Sequence, residues 1–354
     1  MIPTRKVGGF IIPQRTMTQM FFSAINGGFS LLSEKGRTGF LDSLEKGIIQ
    51  EGVLSQATAG PMMMLSLFHE LQNPLFEKHR FDPHQFLDGL GPALENFHNV
   101  SSALENELHK INSKALSSSK PETDESKPED IEDADQEVEL GGMTKEDKDQ
   151  LLLALKVMAK SEGAHTKQKK VAEAILDYEW MSEAKSNPDS LAGQLSRMVT
   201  KELFQINQLS SKTAFLLQNQ SRNIFFREGS CRVNNVALLS ARACLFHEKD
   251  SEEGAKEYEA IDESLENDFD ESEAQVAAQL EVLYDVTQEF VVKEPGNTSL
   301  SISDDEESTQ TTVVSVATLE GWLHGGPDDG ELRWKLTSYR PPYEFPGIEH
   351  AYKY

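Results

Sequence analysis

Cysteines and long apolar runs are scarce in this sequence. Only two cysteines occur among 354 residues, Cys231 and Cys244, and both fall within one predicted strand. Their positions differ by thirteen, an odd number, so an ideal strand would place them on opposite faces, and a disulfide would need a bulge or bend. No run of about eighteen apolar residues is present, and a conventional transmembrane helix is therefore not expected. We expect free thiols and a protein that is soluble or peripheral to a membrane.

Basic residues are also scarce. The chain has 34 Lys and Arg against 59 Asp and Glu, which gives a formal net charge of -25 at pH 7. Such a charge repels polyphosphates, and no nucleic-acid partner is expected unless a local basic patch overrides it. The longest basic cluster, Lys167, Lys169 and Lys170, lies on a predicted helix without interleaved aromatic residues. We interpret this cluster as a solvated helix face.

Acidic residues are absent before Glu34, although the rest of the chain is rich in them. This stretch contains Arg5, Lys6 and Arg15 together with Ser, Thr and many apolar residues. Positive charge and apolar side chains are what a mitochondrial targeting segment requires. We therefore predict such a segment at residues 1–35 and a mitochondrial location. An ordinary flexible N-terminus is the alternative, because prolines and glycines in this stretch weaken an amphipathic helix.

Residues 36–114 are predicted to form a helical region. Apolar residues recur at helical spacing across residues 36–72, where we expect two helices. The next helix has an explicit start, because Asp82 is placed as an N-cap, Pro83 occupies the first helical position and Gln85 can close a capping box. Its apolar face is formed by Phe86, Leu87, Leu90, Leu94, Phe97, Leu104, Leu108 and Ile111.

An acidic segment follows this helical region. Lys127 is the only basic residue among the many acids between Pro121 and Glu139, and almost no residue there is apolar. A segment of this composition cannot bury enough apolar surface to offset the entropy of ordering it. We therefore predict an acidic disordered linker at residues 115–147. Three further helices are then expected, near residues 148–160, 167–184 and 190–219.

The hydrophobic period changes to two, and β-branched residues become frequent, in four segments that we predict as strands. In the second of them, apolar residues alternate with polar residues such as Gln279 and Glu281. One face of this strand is therefore expected to be buried and the other exposed to water. Turn residues between Gly325 and Gly330 predict that the last two strands form an antiparallel hairpin. The four strands span residues 231–246, 276–292, 311–323 and 332–337.

Helices followed by such strands predict an α+β fold, in which helices pack on a curved four-stranded antiparallel sheet with a cavity at its open end. Two segments carry a more specific likeness: Phe81-Asp82-Pro83-His84-Gln85-Phe86-Leu87-Asp88-Gly89, and Thr318-Leu319-Glu320-Gly321-Trp322-Leu323 with Leu332-Arg333-Trp334-Lys335-Leu336. The first is similar to the F-D-x-x-x-F-L-x-G opening of the membrane-docking domain of translocase of the inner membrane subunit 44 and its relatives. The second resembles the closing strands of that domain, which is a nuclear-transport-factor-2-like roll.

The resemblance covers about Arg80 to Pro346, with the acidic linker as an interruption. It implies an α+β domain at residues 148–346, with residues 81–112 as a candidate for its first helix and residues 347–354 as a tail. Members of this family lie against the matrix face of the mitochondrial inner membrane, with an import motor or the mitochondrial ribosome, and they are not catalysts. The resemblance therefore implies a non-enzymatic peripheral scaffold that binds protein partners of the import machinery or the mitoribosome. Its roles would be protein import or membrane-protein biogenesis.

Two alternatives to this scaffold remain open. One is a large-subunit mitoribosomal protein of the same family. The other is a small-molecule-binding enzyme on the same roll, which would need a polar dyad in the cavity. Tyr284 and Asp285 are the nearest candidates for that dyad, but adjacent residues of a strand point to opposite faces.

Motifs for catalysis, cofactors and metals are not found in the sequence. Nine histidines occur, but none forms a closely spaced ligand set with cysteine or with a second histidine. No G-x-S-x-G, P-loop or dinucleotide-binding glycine pattern stands between a strand and a helix. We therefore expect no enzymatic activity, no catalytic residue, no cofactor and no metal.

The candidate partner-binding surface lies near the C-terminus. The segment from Tyr339 to Pro346 is too rich in proline for a central strand, yet it combines aromatic residues with an arginine, as interface anchors do. Part of it could fold back over the sheet or the cavity. Alternatively, it stays exposed and, with the two tryptophans of the closing hairpin, contacts a membrane-bound or ribosomal partner. The predicted partner-binding residues are Trp322, Trp334, Arg340, Tyr343 and Phe345.

Overall fold

The computed structural model describes residue 12 and residues 16–55, 59–117, 179–218, 223–250, 256–260, 275–293, 307–325 and 334–340. Within these ranges the protein is α+β, with a helical N-terminal region and one antiparallel sheet. The predicted α+β class is therefore confirmed. The predicted linker lies outside the described residues from position 118 onward, as do the predicted helix at residues 148–160, Tyr343, Phe345 and the tail at residues 347–354.

Helices make up the N-terminal half of the described chain. α1 begins after Thr16, whose side chain forms a reciprocal capping box with that of Gln19. α1 packs along α4. The two helices predicted within residues 36–72 are confirmed as α2 and α4. The helices are α1 (Met17–Ser30), α2 (Glu34–Glu45), α3 (Glu51–Leu54), α4 (Gly60–Leu71), α5 (Pro74–Lys78) and α6 (Pro83–Ser117).

The predicted helix start at Asp82 is confirmed. One carboxylate oxygen of Asp82 accepts hydrogen bonds from the backbone N–H groups of His84 and Gln85, at 2.9 and 3.3 Å. α6 then continues through Pro92 to Ser117. It packs against the sheet and neighbouring helices. Its predicted apolar face is buried at Leu90, Leu94, Phe97, Leu104 and Leu108.

Three helices follow in the next described segment: α7 (Trp180–Ser186), α8 (Leu191–Met198) and α9 (Lys201–Gln218). The prediction of one helix across residues 190–219 was wrong, because the helix is broken between α8 and α9. At the break, Val199 forms an isolated parallel bridge with Leu336, and the backbone N–H of Thr200 donates to the carbonyl of Leu336 at 3.0 Å. Pairing with a distant strand thus replaces the local helical hydrogen bonds.

The described strands form one antiparallel sheet. Its order is β3-β2-β4-β5-β6, and β1 pairs with the end of β4 beyond β2. The four predicted strands correspond to β2, β4, β5 and β6, and β1 and β3 extend the sheet beyond the four strands that were predicted. The predicted hairpin is confirmed by the antiparallel pairing of β5 with β6. The strands are β1 (Asn223–Phe226), β2 (Arg232–Asp250), β3 (Lys256–Ala260), β4 (Gln275–Lys293), β5 (Thr309–His324) and β6 (Lys335–Arg340).

The inner face of the sheet, which includes Leu280, Val282 and Tyr284 of β4, packs under the helices. The outer face carries the alternate residues of β4. The prediction that this face is exposed to water was wrong, because Gln279 and Glu281 are only 2% and 1% exposed.

Residues far away in the chain cover part of the outer face. The Ile12 backbone N–H donates to the Glu320 carboxylate at 3.2 Å, and the Gln279 side-chain amide donates to that carboxylate and to the Ile12 carbonyl at 2.8 Å each. These buried polar groups find partners inside the protein, as burial requires.

Both cysteines are free thiols, as predicted. Cys231 is buried in the core on the inner face. Cys244 packs against the cluster of Ile12, Phe246 and Ala277 on the outer face. The two thiols therefore lie on opposite sides of the sheet. Burial also raises the pKa of the Cys231 thiol.

Candidate functional site

A cavity of about 660 Å³ opens on the inner face of the sheet. It lies between the start of α6, the end of α8 and the closing strands β5 and β6. We call it the α6 pocket, and its apolar walls include Phe81, Phe86, Leu90, Trp334 and Leu336. The two segments that carry the family resemblance, one at the start of α6 and one in the closing hairpin, meet at this cavity.

Three aromatic rings form one wall of the α6 pocket. The ring of Trp334 lies 4.8 Å from that of Phe86 and 5.7 Å from that of Phe81, measured between centroids. Gly321 of β5 makes this packing possible, because a Cβ at that position would lie 2.9 Å from the indole carbons. The glycine of the second resembling segment therefore allows close contact between the indole and the strand.

Positive groups lie at the edge of the same cavity. Arg80 and Arg197 both line it and are both exposed. The guanidinium of Arg197 is 3.9 Å from Asp189, a loose pair in which both side chains face water. Within the described ranges, Arg80 has no ion pair. Asp82 also lines the cavity, but one of its carboxylate oxygens accepts the capping bonds of α6.

The two predicted tryptophans do not form one surface. Trp334 lines the α6 pocket on the inner face. Trp322 lies on the outer face, where its ring makes an edge contact with Phe246 at 5.6 Å and packs beside Ile12. The pairing of Trp322 with Ala277 and of Gly321 with Ala278 shows this alternation directly.

The predicted Arg340 points into the outer face of the sheet. Its guanidinium is 2.9 Å from a carboxylate oxygen of Glu281, and the two side chains are 14% and 1% exposed. Arg340 therefore forms an ion pair within the chain and is not an exposed anchor of the kind that was predicted. The roles predicted for Tyr343 and Phe345 fall outside the described residues and stay predictions.

A buried polar pair joins α6 to the sheet. A ring nitrogen of His98 lies 2.9 Å from the hydroxyl of Tyr284, and Tyr284 is fully buried. Burial lowers the pKa of His98 to about 4 and raises the pKa of Tyr284. Both groups are thus neutral near pH 7. Neither belongs to the lining of the α6 pocket, so we interpret the pair as part of the packed core.

The sequence did not point to His98 as a partner of Tyr284. Its only signal was a position next to Phe97, at the edge of the apolar face of α6. Asp285, the other member of the candidate dyad, instead accepts a hydrogen bond from the side-chain amide of Asn235. Tyr284 and Asp285 do not come together.

A second surface feature is the exposed side of α1, which we call the α1 face. The side of the helix that packs on α4 is buried at Met20, Ala24 and Gly27. The contact is close, because a Cβ on Gly27 would lie 2.1 Å from the carbonyl oxygen of Leu65. The α1 face on the other side consists of Met17, Phe21, Phe22, Ile25, Phe29 and Leu32, which are 38% to 75% exposed.

The helix that carries the α1 face has no charged residue. No charged residue occurs within α1, and no acid precedes Glu34. Arg37 lies at the other end of the helix, where its guanidinium donates to the carbonyls of Leu31 and Leu32 at 3.3 and 3.2 Å. Phe21, Phe22 and Phe29 are therefore exposed on a helix without charged residues.

Comparisons with known proteins identify no family for this chain. No protein-family model matches it, and no curated protein matches it significantly. Among the described residues, no helix is long and apolar enough to cross a membrane, and no cluster of three or more His, Cys, Asp or Glu side chains could hold a metal ion.

Proposed function

We propose that this chain is a non-enzymatic mitochondrial protein that attaches to the matrix side of the inner membrane and holds protein partners there. Its role would be that of a peripheral scaffold in protein import or membrane-protein biogenesis. The observation that carries this proposal is the α1 face, an uncharged helix surface with exposed Phe21, Phe22 and Phe29. Soluble proteins rarely leave such contiguous apolar surface without an interaction that covers it.

The energetics suit reversible attachment to a bilayer interface. Full burial of a large apolar side chain is worth about 1.5–3 kcal/mol, so covering the exposed parts of the six side chains of the α1 face is worth about 5–10 kcal/mol. Basic residues near an anionic membrane surface add about 1 kcal/mol each. In the sequence, Arg15 precedes the helix cap, and Lys35 and Arg37 follow the helix together with one acid, Glu34. Membrane-surface helices likewise place exposed apolar side chains near basic residues.

The packing of α1 supports its presence in the working protein. Gly27 packs closely against the backbone of α4, and Ile12 is 1% exposed on the outer face of the sheet. Removal of everything before residue 36 would uncover the core of the helical layer. We therefore infer that any removable targeting peptide ends before Ile12, and that α1 couples the membrane contact rigidly to the sheet.

Vesicle flotation tests the attachment. The full chain should float with phosphatidylcholine vesicles that contain phosphatidylglycerol, and less with phosphatidylcholine alone. The combined variant Phe21→Ser, Phe22→Ser and Phe29→Ser should lower the bound fraction by about tenfold or more, because it removes most of the exposed apolar area. The midpoint of chemical unfolding should barely change, since these side chains are exposed.

A matched control places three serines at other exposed apolar positions. Ile206, Val292 and Val313 are 55%, 46% and 50% exposed, and their replacement should leave flotation unchanged. Equal flotation of the α1 variant and the wild type would refute membrane attachment through the α1 face.

Localisation needs a separate test. A fusion of residues 1–35 to a fluorescent reporter should enter mitochondria, and a cytosolic full-length protein would contradict the proposal. Washing mitochondrial membranes with carbonate and with salt should release the protein as a peripheral component. Cosedimentation with the large mitoribosomal subunit would instead favour the ribosomal alternative.

A further inference from the structure

The α6 pocket is larger than the packing defects of an ordinary protein interior. Packed interiors rarely contain voids larger than a water molecule. A volume of about 660 Å³ instead falls in the range of roughly 300–1,000 Å³ that is typical of small-molecule sites. Most of its lining is aromatic or aliphatic, although His79, Gln85 and Asn96 also contribute. Water against the apolar wall makes few hydrogen bonds and is readily displaced by an apolar guest.

The edge of the pocket has the opposite charge to the protein as a whole. The chain carries a net charge of -25, yet Arg80 and Arg197 both lie at this cavity. The acid among the lining residues, Asp82, uses one carboxylate oxygen to cap α6. A guanidinium fork matches the geometry of a carboxylate or phosphate. An apolar cavity beside two arginines therefore complements a ligand with an apolar body and an anionic end.

The backbone at Arg80 supports a role for its side chain. The N–H of Phe81 donates to the carbonyl of Phe76 at 2.9 Å, and the N–H of Arg80 donates to that of Glu77 at 3.1 Å. This is the Schellman ending of a helix, which favours glycine at the position of Arg80. Arg80 has a φ of 55°, a left-handed conformation that is unfavourable for an arginine. Arginine therefore stabilises this helix cap less than glycine would, whereas its guanidinium can bind an anion.

We propose that the α6 pocket binds one long-chain fatty acid anion. The acyl chain lies against Phe81, Phe86 and Trp334, and the carboxylate meets Arg80 and Arg197. A polar metabolite would leave its hydrogen-bonding groups unpaired against the aromatic wall, which is costly. The site is separate from the α1 face and does not depend on membrane attachment.

Titration of the full chain with hexadecanoate by calorimetry tests the site. Saturable binding of one molecule per chain is expected, with a change in tryptophan fluorescence. Hexadecanol, which has the same chain length and no charge, should bind about tenfold more weakly. Absence of saturable binding, or equal affinity for the alcohol, would overturn the proposal. Binding of dihexadecanoyl phosphatidic acid in preference to hexadecanoate would overturn the assignment to a free fatty acid.

Filling the cavity separates the α6 pocket from other apolar surfaces. Gly89 lines the pocket, and a Cβ there would meet nothing within 4 Å. Gly89→Leu should therefore fold normally and lower the affinity for hexadecanoate by about tenfold or more, because the leucine occupies the site. Gly91→Ala, in the same helix but outside the lining, is the control and should bind as the wild type. Unchanged binding by Gly89→Leu would show that the ligand lies elsewhere.

Arg80→Gly provides the sharpest test, because affinity and stability should change in opposite directions. Glycine suits the left-handed position, so the midpoint of unfolding should stay the same or rise. The affinity for hexadecanoate should fall about tenfold, while that for hexadecanol should hardly change. Equal hexadecanoate affinity in Arg80→Gly and the wild type would exclude the proposed contact. The combined α1 serine variant should still bind hexadecanoate, which distinguishes failure of this site from failure of the membrane proposal.

Discussion

Stability between pH 7 and pH 5 should depend on His98. Burial lowers the pKa of this imidazole from 6.5 to about 4 in the folded protein. The unfolded chain therefore takes up a proton first as the pH falls, and stability is lost in that range. His98 contributes fully above pH 6.5, and its contribution declines as the pH falls toward 4. The gap between the two pKa values corresponds to about 3 kcal/mol, of which about 2 kcal/mol is lost by pH 5.

Urea unfolding at pH 7, 6 and 5 measures this effect. His98→Gln keeps a polar side chain next to Tyr284 but cannot titrate, so its loss of stability between pH 7 and pH 5 should be about 2 kcal/mol smaller than that of the wild type. Part of the slope should remain, because burial also lowers the pKa of His109 to about 4. His84→Gln is the control, since His84 is an exposed residue of α6. An identical pH slope for His98→Gln and the wild type would refute the burial of this pair.

Two further substitutions test the packing. Arg340→Met should lower the free energy of unfolding by about 3 kcal/mol, because it removes an ion partner from the buried Glu281. Adding Glu281→Leu should restore most of the loss. A double variant as unstable as the single one would argue against this ion pair. Gly27→Ala should lower the free energy of unfolding by about 2 kcal/mol, because its methyl group would overlap the carbonyl of Leu65. Gly28→Ala is the control: its methyl group has open space, and it should be neutral or slightly stabilising. Equal unfolding midpoints for the two variants would exclude the close crossing of α1 and α4.

The start of α6 and the pattern of four strands could be predicted because they depend on neighbours in the sequence. Asp82 caps α6 through N–H groups two and three residues away, and Gln85 and Pro83 make that start recognisable. The alternation in β4 predicted a strand for the same reason, since successive side chains point to opposite faces. The α+β class followed from these local signals.

The environment of each face could not be predicted in the same way. Gln279 and Glu281 have the composition of a solvated face, yet they are buried. Their environment is set by Ile12 and Arg340, at opposite ends of the described chain. The sequence alone does not show whether a polar side chain contacts water or a buried partner.

The candidate site shows the same division. Trp322 and Trp334 lie close together in the sequence, and this proximity favoured a shared surface. The alternation of β5 and the pairing with β6 place them on opposite faces. Conversely, Phe81 and Trp334 are far apart in the chain, and their rings lie 5.7 Å apart.

By itself, the sequence determined the capped start of α6, the four strands β2, β4, β5 and β6, and the placement of two free cysteines on opposite faces of the sheet. Only the tertiary structure decided which faces are buried, where Arg340 finds its partner, and that the start of α6 and the closing hairpin enclose a cavity. The physical reason is the range of the interactions. Helix capping and hydrophobic periodicity depend on residues that are close together in the sequence, whereas burial depends on segments that meet only after the chain has folded, as Ile12 and Glu320 do.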